Sequence, residues 1–104
     1  MQIVLIDKFR VPEESRTPFL EASRKIQGVL KTLPGFVEGS VYEKKERAGA
    51  DDIATTAVWE TEDAYSNAKK AMAVKLQEHG LNPQEIMRRL NVQAERGVYD
   101  RSPY

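Results

Sequence analysis

The side chains best suited to holding and activating a small molecule cluster in the segment TTAVWETEDAY, residues 55–65. Thr55 and Trp59 are four apart on what reads as a strand, so they face the same side. Trp59, the only tryptophan, offers a flat apolar wall and one N–H donor. Tyr65 offers a phenol that donates or accepts. The plainer role for Trp59 is to plug the end of a core. His79, the single histidine, is the side-chain type suited to proton transfer near neutral pH. At the end of a helix it would equally serve as a surface cation favoured by the helix dipole. Asp7 interrupts an apolar strand; buried there, its carboxylate needs a partner or a raised pKa, and a solvated strand end is the alternative. Phe9 and Phe36 are candidate apolar walls. Tyr42 and Asn67 are pocket candidates without a spacing argument.

Composition narrows the chemistry. The absence of cysteine excludes disulfides, thiolate catalysis and thiolate metal sites. One histidine excludes a His-rich metal centre within a single chain; this agrees with metal-free chemistry but does not demand it. With 16 basic and 16 acidic residues the formal charge is zero. Basic residues occur as pairs, such as Lys44–Lys45 and Arg88–Arg89, so no footprint for nucleic acid is expected. The N-terminal apolar run IVLI is too short for a signal peptide or a membrane span. The expectation is a soluble cytoplasmic protein without membrane contact.

These residues must be positioned by a small set of elements. QIVLIDKFR (2–10) reads as a strand ended by Pro12. Phe19, Ala22, Ile26, Val29, Leu30 and Leu33 recur at helical spacing, with Thr17 as a cap and Pro18 at the first helical position, or a start nearer Glu13. Leu33-Pro34-Gly35-Phe36 ends the helix. Residues 36–46 read as a second strand, RAGADD as a turn, and residues 53–60 as a third strand. Thr61 caps a second helix that ends at Gly80. Asn82-Pro83-Gln84-Glu85 starts a short third helix, and residues 92–99 form a last strand. This βαββαβ order predicts an α+β, ferredoxin-like sandwich with a four-stranded antiparallel sheet, spanning residues 1–100 as one domain with a tail at 101–104.

Helices cover one face of such a sheet, and the other should be polar if it meets water. Here both faces carry apolar residues: Ile3, Leu5 and Phe9 oppose Val4 and Ile6, and Ile53, Ala57 and Trp59 oppose Ala54 and Val58. A homodimer packed sheet against sheet is therefore expected.

LPGFVEGSVYEKKE and TAVWETEDAYSNAKKA, with Phe19 early in the first helix, resemble the antibiotic biosynthesis monooxygenase family of dimeric α+β barrels over residues 2–97. The Pro-Gly-Phe turn and Trp-Glu-x-x-x-Ala-Tyr carry the likeness. The resemblance to quinone-forming members implies a pocket with Trp59 and Tyr65. It departs where they carry an asparagine (here Thr55) and an arginine (here His79). Against the haem-degrading members, Asp7, Ala68 and the neighbourhood of His79 occupy the key places, which disfavours haem cleavage. The resemblance implies a cofactor-independent monooxygenase that oxidises an electron-rich phenol or hydroquinone with O₂. Trp59, Tyr65 and His79 would be catalytic, and Thr55, Phe9, Phe36, Asp7 and Asn67 would bind substrate. A non-redox isomerase or lyase on a small oxo compound, or a small-molecule-binding dimer without turnover, are the alternatives.

Overall fold

A computed structural model describes residues 1–45 and 52–104. Its elements follow the order β1 (Ile3–Arg10), a single 3-10 turn (Glu13–Ser15), α1 (Arg16–Leu30), β2 (Phe36–Glu43), β3 (Ile53–Trp59), α2 (Glu62–Glu78), α3 (Pro83–Leu90) and β4 (Gln93–Asp100). All strand pairs are antiparallel and the sheet order is β2-β3-β1-β4. The ferredoxin-like α+β sandwich expected from the sequence is the architecture found.

Local chemistry explains most boundaries. The Thr61 hydroxyl accepts a hydrogen bond from the Ala64 N–H at 3.0 Å and caps α2. The Asn82 side-chain oxygen accepts from the Glu85 N–H at 3.1 Å, with Pro83 next to it, and caps α3. Gly35 has φ +81°, and a Cβ there would collide with the Ala64 side chain of α2. It thus serves both the left-handed turn and a close approach of chain to helix.

The first helix follows the earlier of its two expected starts. It starts at Arg16 after the 3-10 turn, and Thr17 is not its cap. Pro18 lies in the first turn, where its missing N–H has no intrahelical partner to lose. Ser15 precedes the helix, but its hydroxyl donates to the Leu90 carbonyl at 2.7 Å. A contact distant in sequence has taken the side chain that a cap would use. β2 stops at Glu43 rather than Glu46, and most of the expected RAGADD turn lies outside the described residues.

The core lies between sheet and helices, in two parts. Ile3, Leu5, Leu30, Leu33, Ala57, Trp59 and Ala68 form one buried cluster. Val11, Phe19 and Ile53 form the other, flanked by Phe9, Val41 and Leu90. Trp59 is 1% exposed and takes the Phe36 ring edge-on at 5.4 Å between centroids.

An ionic knot closes the second cluster. Arg16, 6% exposed, donates through Nη1 to Asp52 and through Nε and Nη2 to Glu43 at 3.2 and 3.1 Å. Burial alone would pull the guanidinium pKa down, but the hydrogen bonds to Asp52 and Glu43 outweigh it and hold the pKa above its ordinary value. The backbone of Asp52 donates to the Phe9 carbonyl and accepts from the Lys44 N–H. The knot thereby ties the start of α1 to the ends of β1, β2 and β3.

Two stability outcomes follow from this packing. Trp59→Ala should cost about 3–5 kcal/mol in urea unfolding. Arg16→Met alone should cost about 3 kcal/mol, because it strands the buried Asp52 carboxylate, whereas Arg16→Met with Asp52→Leu should recover most of that loss. A double-mutant cycle with no recovery would count against the knot.

Candidate functional site

The two apolar clusters are separated on the sheet by a polar row. In the strand registers Thr55 of β3 lies opposite Asp7 of β1, and Asp7 lies opposite Arg96 of β4. Directly opposed residues share a sheet face. The neighbours of this row, Leu5 and Ala57 on one side and Phe9 and Ile53 on the other, all belong to the layer under the helices. Thr55, Asp7 and Arg96 therefore face the helices.

Asp7 is not solvated. Its carboxylate side chain is 13% exposed and accepts two hydrogen bonds from Arg96, Nε to Oδ1 at 2.8 Å and Nη2 to Oδ2 at 3.0 Å. A near-buried carboxylate on a strand has to be paired, and a bidentate guanidinium is the strongest neutralising partner available to it. The pairing holds the Arg96 pKa above its usual value, chiefly through the hydrogen bond to Asp7. Tyr65 lies within electrostatic reach of the same guanidinium. From the first turns of α2, half-buried Tyr65 packs on the first cluster, with the Lys69 ammonium 4.7 Å from its ring centre.

Helical cover ends before β4, which is exposed along nearly its whole length. Val98 lies opposite Leu5 and so faces the helices, yet it is 52% exposed. The polar row thus runs from half-buried Thr55 outward to Arg96, whose side chain is 53% exposed. The arrangement is a polar row flanked by two apolar clusters, with a paired carboxylate in the middle and a half-exposed cation at the sheet edge. Such a site can bind a flat molecule, hydrogen-bond its oxygens and favour its anion.

The structure places Asp7 and Thr55 side by side in this row, with Tyr65 within electrostatic reach of Arg96, and the other sequence candidates elsewhere. Trp59 fills the core rather than bordering an open cleft, and its buried Nε1 has no hydrogen-bond partner among the described residues. Phe36 packs on Trp59 in the first cluster, while Phe9 packs on Phe19 in the second at 4.9 Å. The two phenylalanines therefore do not line one pocket. Asn67 is exposed, and Tyr42 lies on the uncovered sheet face. His79 is exposed at the C-terminus of α2, with Nδ1 3.0 Å from the Lys75 carbonyl. It lies fourteen positions after Tyr65, about 21 Å along the axis. The two side chains do not converge on one small substrate within a chain.

Sequence reasoning missed Arg96. In QAERGVYD it looks like an ordinary charge on an exposed strand. The available signal was Asp7 itself, since a carboxylate inside an apolar strand calls for a cation on a neighbouring strand. Gln27 of α1 is a second polar group under the helices: its Nε2 donates to the Thr56 carbonyl at 3.2 Å, while its buried Oε1 has no described partner. Among the described residues no three His, Asp or Glu side chains gather as metal ligands, and no helix is long and apolar enough to cross a membrane. A separate cleft of about 350 Å³ lies between α1 and the α2–α3 turn, lined by residues such as Lys25, Asn82, Ile86 and Arg89. None of the sequence candidates borders it.

Comparison with solved structures places this fold among known ones. A candidate monooxygenase from Shewanella loihica PV-4 aligns at TM-score 0.76 and 16% identity, covering 99% of this chain and 96% of that one. SnoaB, a cofactor-independent oxygenase from Streptomyces nogalater, aligns at TM-score 0.72 and 18% identity, covering 99% and 95%. A single-substitution mutant of MhuD, with two manganese protoporphyrin IX molecules bound per active site, aligns at TM-score 0.68 and 16% identity, covering 94% and 92%. Likenesses at these identities establish a shared fold. Because MhuD shares it, the fold does not separate this chain from porphyrin-binding neighbours, and haem degradation is not excluded by the comparison. No curated protein matches the chain in sequence. A family model described as antibiotic biosynthesis monooxygenase matches residues 2–75, from β1 through most of α2, and the chain belongs to that family.

Proposed function

We propose that this protein is a cofactor-independent monooxygenase that oxidises an electron-rich phenol or hydroquinone with O₂ in the groove over β1 and β4. The observation that carries this reading is the polar row Thr55–Asp7–Arg96, set between two apolar clusters and overlooked by Tyr65. Family membership and the cofactor-independent neighbour SnoaB add support.

The chemistry asks little of the protein. A neutral phenol reacts slowly with triplet O₂, whereas its phenolate can donate one electron. The resulting radical and superoxide combine at a ring carbon to form a hydroperoxide. Loss of water, with the hydrogen once borne by that carbon, leaves the quinone; one phenol and one O₂ give one quinone and one water. Asp7 accepts the hydrogen bond of the reacting hydroxyl, Arg96 stabilises the phenolate through its field, and Tyr65 and Thr55 hydrogen-bond the remaining oxygens. Each unit by which the site lowers the phenol pKa raises the anion population about tenfold while the anion is the minor form. Trp59 acts from below as support, and His79 takes no part within its own chain.

The same reading includes a homodimer. On the uncovered face Val4 and Ile6 are half-buried, and Tyr42 and Tyr99 are 55% and 51% exposed. Tyr99 lies over Gly97, where any Cβ would meet its ring, which makes a smooth apolar patch suited to a second copy of the sheet.

With hydroquinone probes, Asp7→Asn and Tyr65→Phe should each lower kcat/KM for O₂ uptake at least tenfold, while His79→Ala stays within twofold. Equal activity in all three would remove the groove from the reaction, and anaerobic turnover would favour the isomerase alternative. Sedimentation should give a dimer at micromolar concentration and a monomer for Tyr99→Glu; a wild-type monomer would refute sheet-to-sheet pairing.

A further inference from the structure

The Asp7–Arg96 pair uses only one edge of the guanidinium. Nε and Nη2 hold the carboxylate, whereas Nη1 makes no described hydrogen bond and the side chain is 53% exposed. Guanidinium carries five N–H donors in a fixed plane. After Nε–H and one hydrogen of Nη2 are committed to Asp7, the Nη1–Nη2 edge still matches a second carboxylate. Charge points the same way. Asp7 and Arg96 cancel, but Lys69 of α2 adds a cation, with its ammonium 4.7 Å from the centre of the Tyr65 ring. Tyr65 interacts electrostatically with Arg96 as well, so two cations act on the phenol. No helix covers the β4 edge, and bulk water reaches it.

We propose that Arg96 and Lys69 select a substrate that carries an ionised acidic group, a carboxylate on or beside the aromatic ring, with the ring directed inward along Tyr65 toward Asp7 and the carboxylate at the β4 edge. The inference rests on the groove being the substrate site. Arg96 binds the carboxylate through its Nη1–Nη2 edge without releasing Asp7. Lys69 acts as a point charge, because an ammonium matches no planar fork. Neither residue lies in the apolar clusters, and Arg96 falls beyond residues 2–75 matched by the family model.

Calorimetric titration under nitrogen tests it, with 2,5-dihydroxybenzoate and hydroquinone as probes that differ by one carboxylate. The carboxylated probe should bind at least tenfold tighter at low ionic strength, with the advantage shrinking as salt rises. Arg96→Gln should abolish most of that advantage, whereas Arg96→Lys should retain part of it. Because Arg96→Gln also strands Asp7 and can lower stability, Lys69→Gln, which leaves the Asp7 pair intact, is the second variant; it should reduce the preference about threefold. Equal binding of the two probes, no binding of 2,5-dihydroxybenzoate at millimolar concentration, or a preference unchanged in both variants would overturn the proposal. Binding without O₂ is independent of turnover. Selective binding with no O₂ uptake in air would sustain the anion site while defeating the oxygenase reading, and uptake without selectivity would do the reverse.

Discussion

A carboxylate placed in the middle of an apolar strand constrains everything around it. Asp7 sits where β1 is covered by helices on one face and hydrogen-bonded to strands on both edges. An ionised group in that position has to be neutralised by hydrogen-bonded charge, because desolvation otherwise costs several kcal/mol. Arg96 supplies the charge from β4, and the pairing decides what the centre of the sheet can be. It cannot close into one dry core. It becomes two apolar clusters with a polar seam between them.

The seam is usable because the helical layer is narrow. α1 and α2 cover β2, β3 and β1, and β4 is left bare at the sheet's edge. Buried Asp7 therefore connects to solvent through half-exposed Arg96, which gives a polar path into a structure that is otherwise packed. The ionic knot at the second cluster shows the contrasting use of charge. There Arg16 is enclosed by Asp52 and Glu43 and has little contact with water. Both ion pairs bring an Arg to an Asp across elements far apart in sequence. One fastens a helix start to strand ends, and the other keeps a side open.

Trp59 illustrates how residue type misleads when burial is unknown. A lone indole at a strand–helix junction is what a stacking wall would look like, and it is also what fills the gap where β3 leaves the sheet and α2 returns over it. Leu33, Phe36 and Ala68 gather on it, and its large apolar area makes that packing one of the main sources of stability at this end of the fold. Its unpartnered N–H is the cost of using tryptophan rather than phenylalanine there. His79 misleads in the opposite sense. Its chemistry suits proton transfer, but a helix C-terminus suits an exposed histidine equally well, and the length of α2 carries it away from Tyr65.

The sequence by itself determined the elements, the alternation of faces and the two helix caps at Thr61 and Asn82, because hydrophobic period and capping chemistry are local. It also marked Asp7 as out of place in an apolar strand, and it placed Thr55 with Trp59 on one side, since strand alternation has a period of two. Only the tertiary structure decided that Arg96 answers Asp7 from 89 residues away, that Ser15 binds Leu90 instead of capping its own helix, and that Trp59 is sealed while β4 stays open. Each of these depends on strand register and on how far the helices extend over the sheet, and those are properties of the assembled chain that no local window of residues contains.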